Sequence, residues 1–135
     1  EYKRYSAYIC QPGRSFRPGL ERLAFYRRKR IEPLVPSIIA DYDHVEIDAD
    51  NAQALLESRD STDRQLGEVV HRLVEDGARD PGTTNRIFIL SGQGSPYTWD
   101  RGEPIMHNRS GAWAMNLRYV KFEDLKEAHS TADLE

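Results

Sequence analysis

The chain has one cysteine, Cys10, among its 135 residues, so it can form neither an internal disulfide nor a zinc site built on paired thiolates. Long hydrophobic runs are missing as well. Stretches such as Ile87-Phe88-Ile89-Leu90 fall far short of the roughly 18 apolar residues of a membrane-spanning helix, and mean hydropathy is -0.72. The first residues, Glu1-Tyr2-Lys3-Arg4-Tyr5, lack the apolar core of a secretion signal, so a cytoplasmic address is expected. An initiator Met is also absent. This suggests one domain over 1–129, cut from a longer protein, with a disordered tail over 130–135 that ends in vector residues. The length suits one core, and 39% hydrophobic with 30% charged residues is enough to fold one.

Charge is distributed unevenly. The net charge is -3, yet residues 1–40 carry nine cations (Lys3, Arg4, Arg14, Arg17, Arg22, Arg27, Arg28, Lys29, Arg30) against Glu1, Glu21 and Glu32. That leaves +6 on the first 40 residues and -9 on the rest. The same segment holds Tyr2, Tyr5, Tyr8, Phe16, Phe25 and Tyr26. Cations that neutralise phosphate, interleaved with rings that stack on bases, are the ingredients of a nucleic-acid surface. The alternative is that the rings alternate into a core while the arginines form its solvated face.

Periodicity predicts the elements. Tyr5–Cys10 reads as a strand closed by Gln11-Pro12-Gly13, and 22–26 as a short strand or helical turn. The four cations 27–30 must lie in solvent, at a hairpin tip or rim. Pro33 and Pro36 confine the strand that follows to an edge or a bulge. Asp48 or Asp50 caps a short helix through Ala52, Leu55 and Leu56. Between 61 and 77, apolar residues at 66, 69, 70, 73 and 74 predict an amphipathic helix, capped by Ser61 or Thr62 and ended by Gly77. Residues 86–90 read as a central strand buried on both faces. Residues 91–111 form a long irregular connection, 113–120 a last strand and 122–128 a short helix. The expected fold is α+β: a mixed, barrel-like sheet of five or six strands, packed by one amphipathic helix and two short helices.

Catalytic and metal motifs do not emerge. The acidic run 41–50 offers hard oxygen ligands to magnesium, and Asp41, Asp43, Glu46 or Asp48 would serve a metal-dependent nuclease. The plainer reading turns Val45 and Ile47 inward, Glu46 and Asp48 outward, and leaves the later aspartates as caps. His44, His71, His107 and His129 have no ligand spacing, and Cys10 reads as a small buried hydrophobe. Ser91-Gly92-Gln93-Gly94-Ser95 follows a strand but lacks the Gly-Lys-Ser/Thr of a phosphate loop. No enzyme, cofactor or metal is implied for the domain itself.

The order of elements resembles the PUA-like superfamily of small β-barrels, especially its EVE-type and YTH-type branch. The residues that carry the likeness are Tyr5–Cys10 as first strand, Leu23-Ala24-Phe25-Tyr26 before the basic tip, 86–90, and Arg118-Tyr119-Val120 running into Phe122-Glu123-Asp124-Leu125. Members of that group read RNA or modified bases in DNA, holding the base in a partly aromatic pocket. The resemblance implies such a pocket here, with Tyr97, Trp99 and Trp113 as its rings.

The expected function is therefore an accessory domain that binds nucleic acid, single-stranded or carrying a modified base. Arg14, Arg17, Arg22, Arg27, Arg28, Lys29 and Arg30 are its phosphate contacts, and Tyr97, Trp99, Arg101, Arg109 and Trp113 line its aromatic loop. The first alternative is a protein-interaction or regulatory domain of a larger bacterial enzyme, docked to the rest of its parent protein or to an acidic partner. The second is the metal-dependent nuclease.

Overall fold

The structure, a computed structural model, describes residues 1–108 and 119–134. In chain order they form a helical turn α1 (Tyr2–Tyr5), strand β1 (Ala7–Cys10), a hairpin of β2 (Tyr26–Arg27) and β3 (Arg30–Ile31), and β4 (Leu34–Val35). The long strand β5 (Ile38–Ile47), helices α2 (Ala49–Leu56) and α3 (Ser61–Asp76), and β6 (Thr83–Leu90) follow. Two short strands, β7 (Trp99–Asp100) and β8 (Ile105–Met106), helix α4 (Phe122–Glu127) and a 3-10 turn (Thr131–Leu134) complete the described chain. No described helix is long and apolar enough to cross a membrane.

Strand β6 organises the molecule because both of its faces are apolar. It lies between β1 and β5, antiparallel to each, with Ala7 opposite Ile89 and Tyr42 opposite Ile87. Ile87 and Ile89 enter one core with Val69, Val70 and Leu73 of α3, while Phe88 and Leu90 enter another with Tyr2, Cys10 and Leu34. Each fully buried side chain of this size contributes roughly 1.5–3 kcal/mol of transfer free energy. Alternation along one strand thus puts the helices on one side and the N-terminal aromatic segment on the other.

Helices α2 and α3 pack as a close pair, and Gly67 is what permits it. A Cβ there would stand 2.8 Å from the Leu56 backbone nitrogen and 3.1 Å from the Ala52 carbonyl oxygen. The caps are partly those expected. Asp48 caps α2, its Oδ1 accepting from the Asn51 N–H at 2.6 Å, and Gly77 ends α3 in the left-handed region at φ 64°. Asp60, rather than Ser61 or Thr62, caps α3, accepting from the Thr62 and Asp63 N–H groups. Its backbone is extended while Ser61 is already helical, so its carboxylate reaches the orphan amides of the first turn.

The described strands do not make the single mixed, barrel-like sheet that the pattern suggested. They form three small antiparallel sheets, β1-β6-β5, β2-β3-β8 and β4-β7, with no closed barrel among the described residues. The isolated bridge between Met106 and Ser130 is parallel. Pro33 and Pro36 bracket β4 and leave it two residues long, while β7 and β8 lie within the stretch expected to be irregular. The third core, around Ile31, Val35, Ile105 and Leu125, joins these two-residue strands to α4. The tail expected to fray from Ser130 instead folds back: Thr131 is buried and its Oγ1 lies 2.7 Å from Nδ1 of the buried His107. Of the last expected strand, 113–118 lie outside the described residues, and Tyr119 and Val120 are not in a strand.

Candidate nucleic-acid interface

Four consecutive cations cannot enter a core, and the chain turns back on itself where they occur. Arg27 and Arg30 face each other across β2 and β3, with Arg28 and Lys29 as the two tip residues at φ 52° and 59°. Both tip residues are exposed. Two-residue hairpins with positive φ at both positions normally take Asn-Gly, because a Cβ in the left-handed region is strained. This tip holds two long cations in that conformation. The Lys29 carbonyl accepts from the His107 N–H at 2.9 Å, which fastens the tip to the segment after β8.

Glu32 gathers the two flanking arginines. Its Oε1 accepts from Arg27 Nε at 3.0 Å and Arg30 Nε at 3.3 Å. Burial by itself would raise the Glu32 carboxyl, but these two hydrogen bonds outweigh it and hold the group below the ordinary carboxylate range. Beside this triad opens a cleft of about 370 Å³, lined by Tyr2, Tyr8, Phe25, Pro33 and Leu34, with Arg27, Glu32, Glu1 and Lys3 among its polar residues. Tyr2 and Phe25 are stacked at 5.3 Å, and Tyr8 tilts against Phe25 at 6.2 Å. Tyr2 is fixed by a 2.6 Å hydrogen bond from its hydroxyl to the Ser91 carbonyl, and burial raises its pKa.

The other residues expected at the site divide by what they touch. Arg22 donates to the Val35 and Tyr97 carbonyls at 3.0 and 3.3 Å and covers the Phe122 ring at 4.3 Å. Arg101 donates to the carbonyls of Glu103, Pro104 and Ala128. Both arginines therefore tie loops together inside the fold, since one guanidinium fork can donate to several carbonyls at once. Trp99 is half-buried against the third core, with Phe122 edge-on at 5.4 Å, and so acts as an anchor of that core. Tyr97 beside it is 70% exposed. Arg17 lies 4.2 Å from the Tyr119 ring, and Arg14 donates to the Tyr8 hydroxyl at 3.2 Å. Arg109 and Trp113 lie outside the described residues.

The arrangement thus brings Arg27–Arg30 together with the rings of Tyr2, Tyr8 and Phe25, and joins Arg22 to Tyr97 and Trp99 in a separate, largely structural cluster. Composition pointed to the three cleft rings as aromatic residues of a basic segment. Their convergence carried no local signal, because Tyr2 of α1, Tyr8 of β1 and Phe25 just before β2 meet only when these separate segments pack with Phe88 in one core.

The acidic run is engaged within the fold. Arg86 holds Asp41 through two hydrogen bonds of 2.9 and 2.6 Å and lies over the rings of Phe16 and Phe88, while Asp43 accepts from the Gly13 N–H. Val45 and Ile47 are buried and Glu46 is exposed, as the plainer reading had it. Among the described residues, no group of three or more His, Cys, Asp or Glu side chains is placed to hold a metal ion. Cys10 is buried, and that burial raises its thiol pKa. Ser91 is buried too and is bonded to Ser37 and Thr98, which pins the start of the glycine-rich segment, while Gln93 and Gly94 are exposed. No protein-family model, curated protein or solved structure matches this chain.

Proposed function

We propose that this domain binds single-stranded nucleic acid, with phosphates along the Arg27–Arg30 hairpin and one base in the adjoining ring-lined cleft. The observation that carries this reading is contiguity: Arg27 belongs both to the cationic hairpin and to the wall of the cleft that Tyr2, Tyr8 and Phe25 line. Phosphate neutralisation supplies affinity without sequence preference, and a ring face adds stacking that any base can use. The tip supports the same reading, since it keeps two exposed cations at left-handed positions where Asn-Gly would close the hairpin with less strain. The PUA-like resemblance and a cytoplasmic location belong with this proposal. So do Arg14 and Arg17 as further phosphate contacts.

Fluorescence anisotropy with labelled single-stranded oligonucleotides tests it. Binding must be present at low ionic strength, weaken steadily with added salt, and exceed binding to polyglutamate of equal charge. An equal response to polyglutamate would transfer the surface to an acidic protein partner, and no salt-sensitive binding at all would end the proposal.

A further inference from the structure

We infer that the ring-lined cleft selects guanine, with Glu32 as the residue that reads the base. This rests on the nucleic-acid reading above and adds the identity of the ligand. The cleft is near the lower end of the roughly 300–1,000 Å³ usual for ligand sites, which suits one base with its sugar and excludes a stacked pair. Its walls are aromatic and aliphatic, and they take the faces of a planar ring. Its distinctive polar feature is a carboxylate beside a guanidinium.

Glu32 remains ionised at the cleft wall because Arg27 and Arg30 both donate to it. Both bonds fall on Oε1; among the described residues, Oε2 accepts none. A carboxylate has about four lone-pair sites, so it can still accept from a ligand while keeping its arginines. Guanine presents two adjacent donors, N1–H and the N2 amino group, beside the O6 acceptor. Carboxylate next to guanidinium is the complement of that edge. Uracil and thymine present one donor between two acceptors and leave the carboxylate half-satisfied. Adenine and cytosine offer one amino donor each beside an acceptor. Lining charges cancel, two acids against two cations, so the phosphates stay outside on the hairpin while the neutral base enters.

The test uses oligothymidylate carrying a single central guanine, hypoxanthine, adenine or thymine, with affinity read by anisotropy. N1–H and the N2 amino group donating together to Oε2 should favour guanine over thymine on the order of ten-fold, and hypoxanthine, which lacks only the N2 amino group, should lose most of that gain. The hypoxanthine comparison needs no protein variant, so it stands whatever a substitution does to folding. Glu32→Gln should erase the guanine preference yet leave salt-sensitive binding, and Glu32→Asp should restore part of the preference. Binding without base preference, or a preference that survives in Glu32→Gln, overturns the inference while the nucleic-acid reading stands. Absence of binding to every oligonucleotide overturns both. Guanosine monophosphate should compete only far above the Kd of the oligonucleotide; tighter binding of the free nucleotide would overturn the assignment to a strand.

Discussion

Replacing Arg28-Lys29 by Asn-Gly at the hairpin tip separates structure from function, because the two effects have opposite signs. Both residues hold φ above +50°, where a Cβ costs about 1–2 kcal/mol and where Asn and Gly sit with little or no strain. Gly also gives up more backbone freedom on folding, which offsets part of the gain, so we expect a net stabilisation of about 1–2 kcal/mol. With an unfolding entropy near 2.1 cal/mol/K per residue, that corresponds to roughly 4–7 °C in Tm for a chain of this length. The same change removes two cations from the proposed phosphate track. Each single-strand phosphate contact contributes about 0.7 to the slope of log K against log salt, so the slope should fall by about 1.4. Differential scanning calorimetry reads the first effect, and a salt titration of oligonucleotide anisotropy reads the second. Arg28→Gln with Lys29→Gln is the control, since it removes charge while keeping the side chains in the left-handed region; it should lower the slope without raising Tm. A higher Tm with an unchanged slope would show that the tip does not meet phosphate. A lower Tm would refute the strain assignment itself.

Gly67→Ala sets helix propensity against packing: the gain of about 1 kcal/mol should be outweighed by overpacking of about 1–3 kcal/mol against the backbone of α2, so urea denaturation should show a net loss. Truncating Tyr8 to Ala should weaken oligonucleotide binding by about 1–3 kcal/mol if a base stacks in the cleft, whereas Trp99→Phe should lower Tm and leave affinity unchanged. Asp76 accepts from Arg4 at 2.5 and 2.6 Å and from the Tyr5 hydroxyl at 2.7 Å, and these hydrogen bonds draw its pKa down to about 2. A carboxyl lowered on folding contributes stability that is complete above its unfolded value near 3.8 and is lost as pH falls through about 2. Asp76→Asn should therefore flatten that part of the stability–pH curve, and acid titration followed by circular dichroism checks it.

How much of the molecule was legible followed from how local each interaction is. The apolar repeat of α3 requires only the helical period, and β6 was readable because an apolar run four residues long, placed after a turn, suits a strand covered on both sides. The cationic hairpin was readable for the opposite reason: four charges in a row cannot be buried, so the chain must expose them. The prolines beside β4 limited its pairing to two residues, as their missing amides demand. The cap of α3 is Asp60, one residue before Ser61 and two before Thr62, since all three have similar capping chemistry and only backbone geometry separates them.

Tertiary structure decided the rest, because pairing partners distant in the chain leave no mark on local composition. That the eight described strands divide into three sheets depends on contacts such as Leu34 with Asp100 and Ile31 with Ile105. The fate of each arginine was equally hidden. Arg22 and Arg101 serve carbonyls, Arg86 serves Asp41, and Arg27 with Arg30 converges on Glu32, although all five have the same side chain. Sequence alone determined the apolar faces of α3 and β6, the exposure of the cations 27–30 and the places of α2, α3 and α4, though not the turn α1 within a segment that reads as a strand from Tyr5, because hydrophobicity and period are properties of single segments. Only the folded chain decided which rings converge on a cleft and which cations remain beside it, because these depend on how separate segments cross in space.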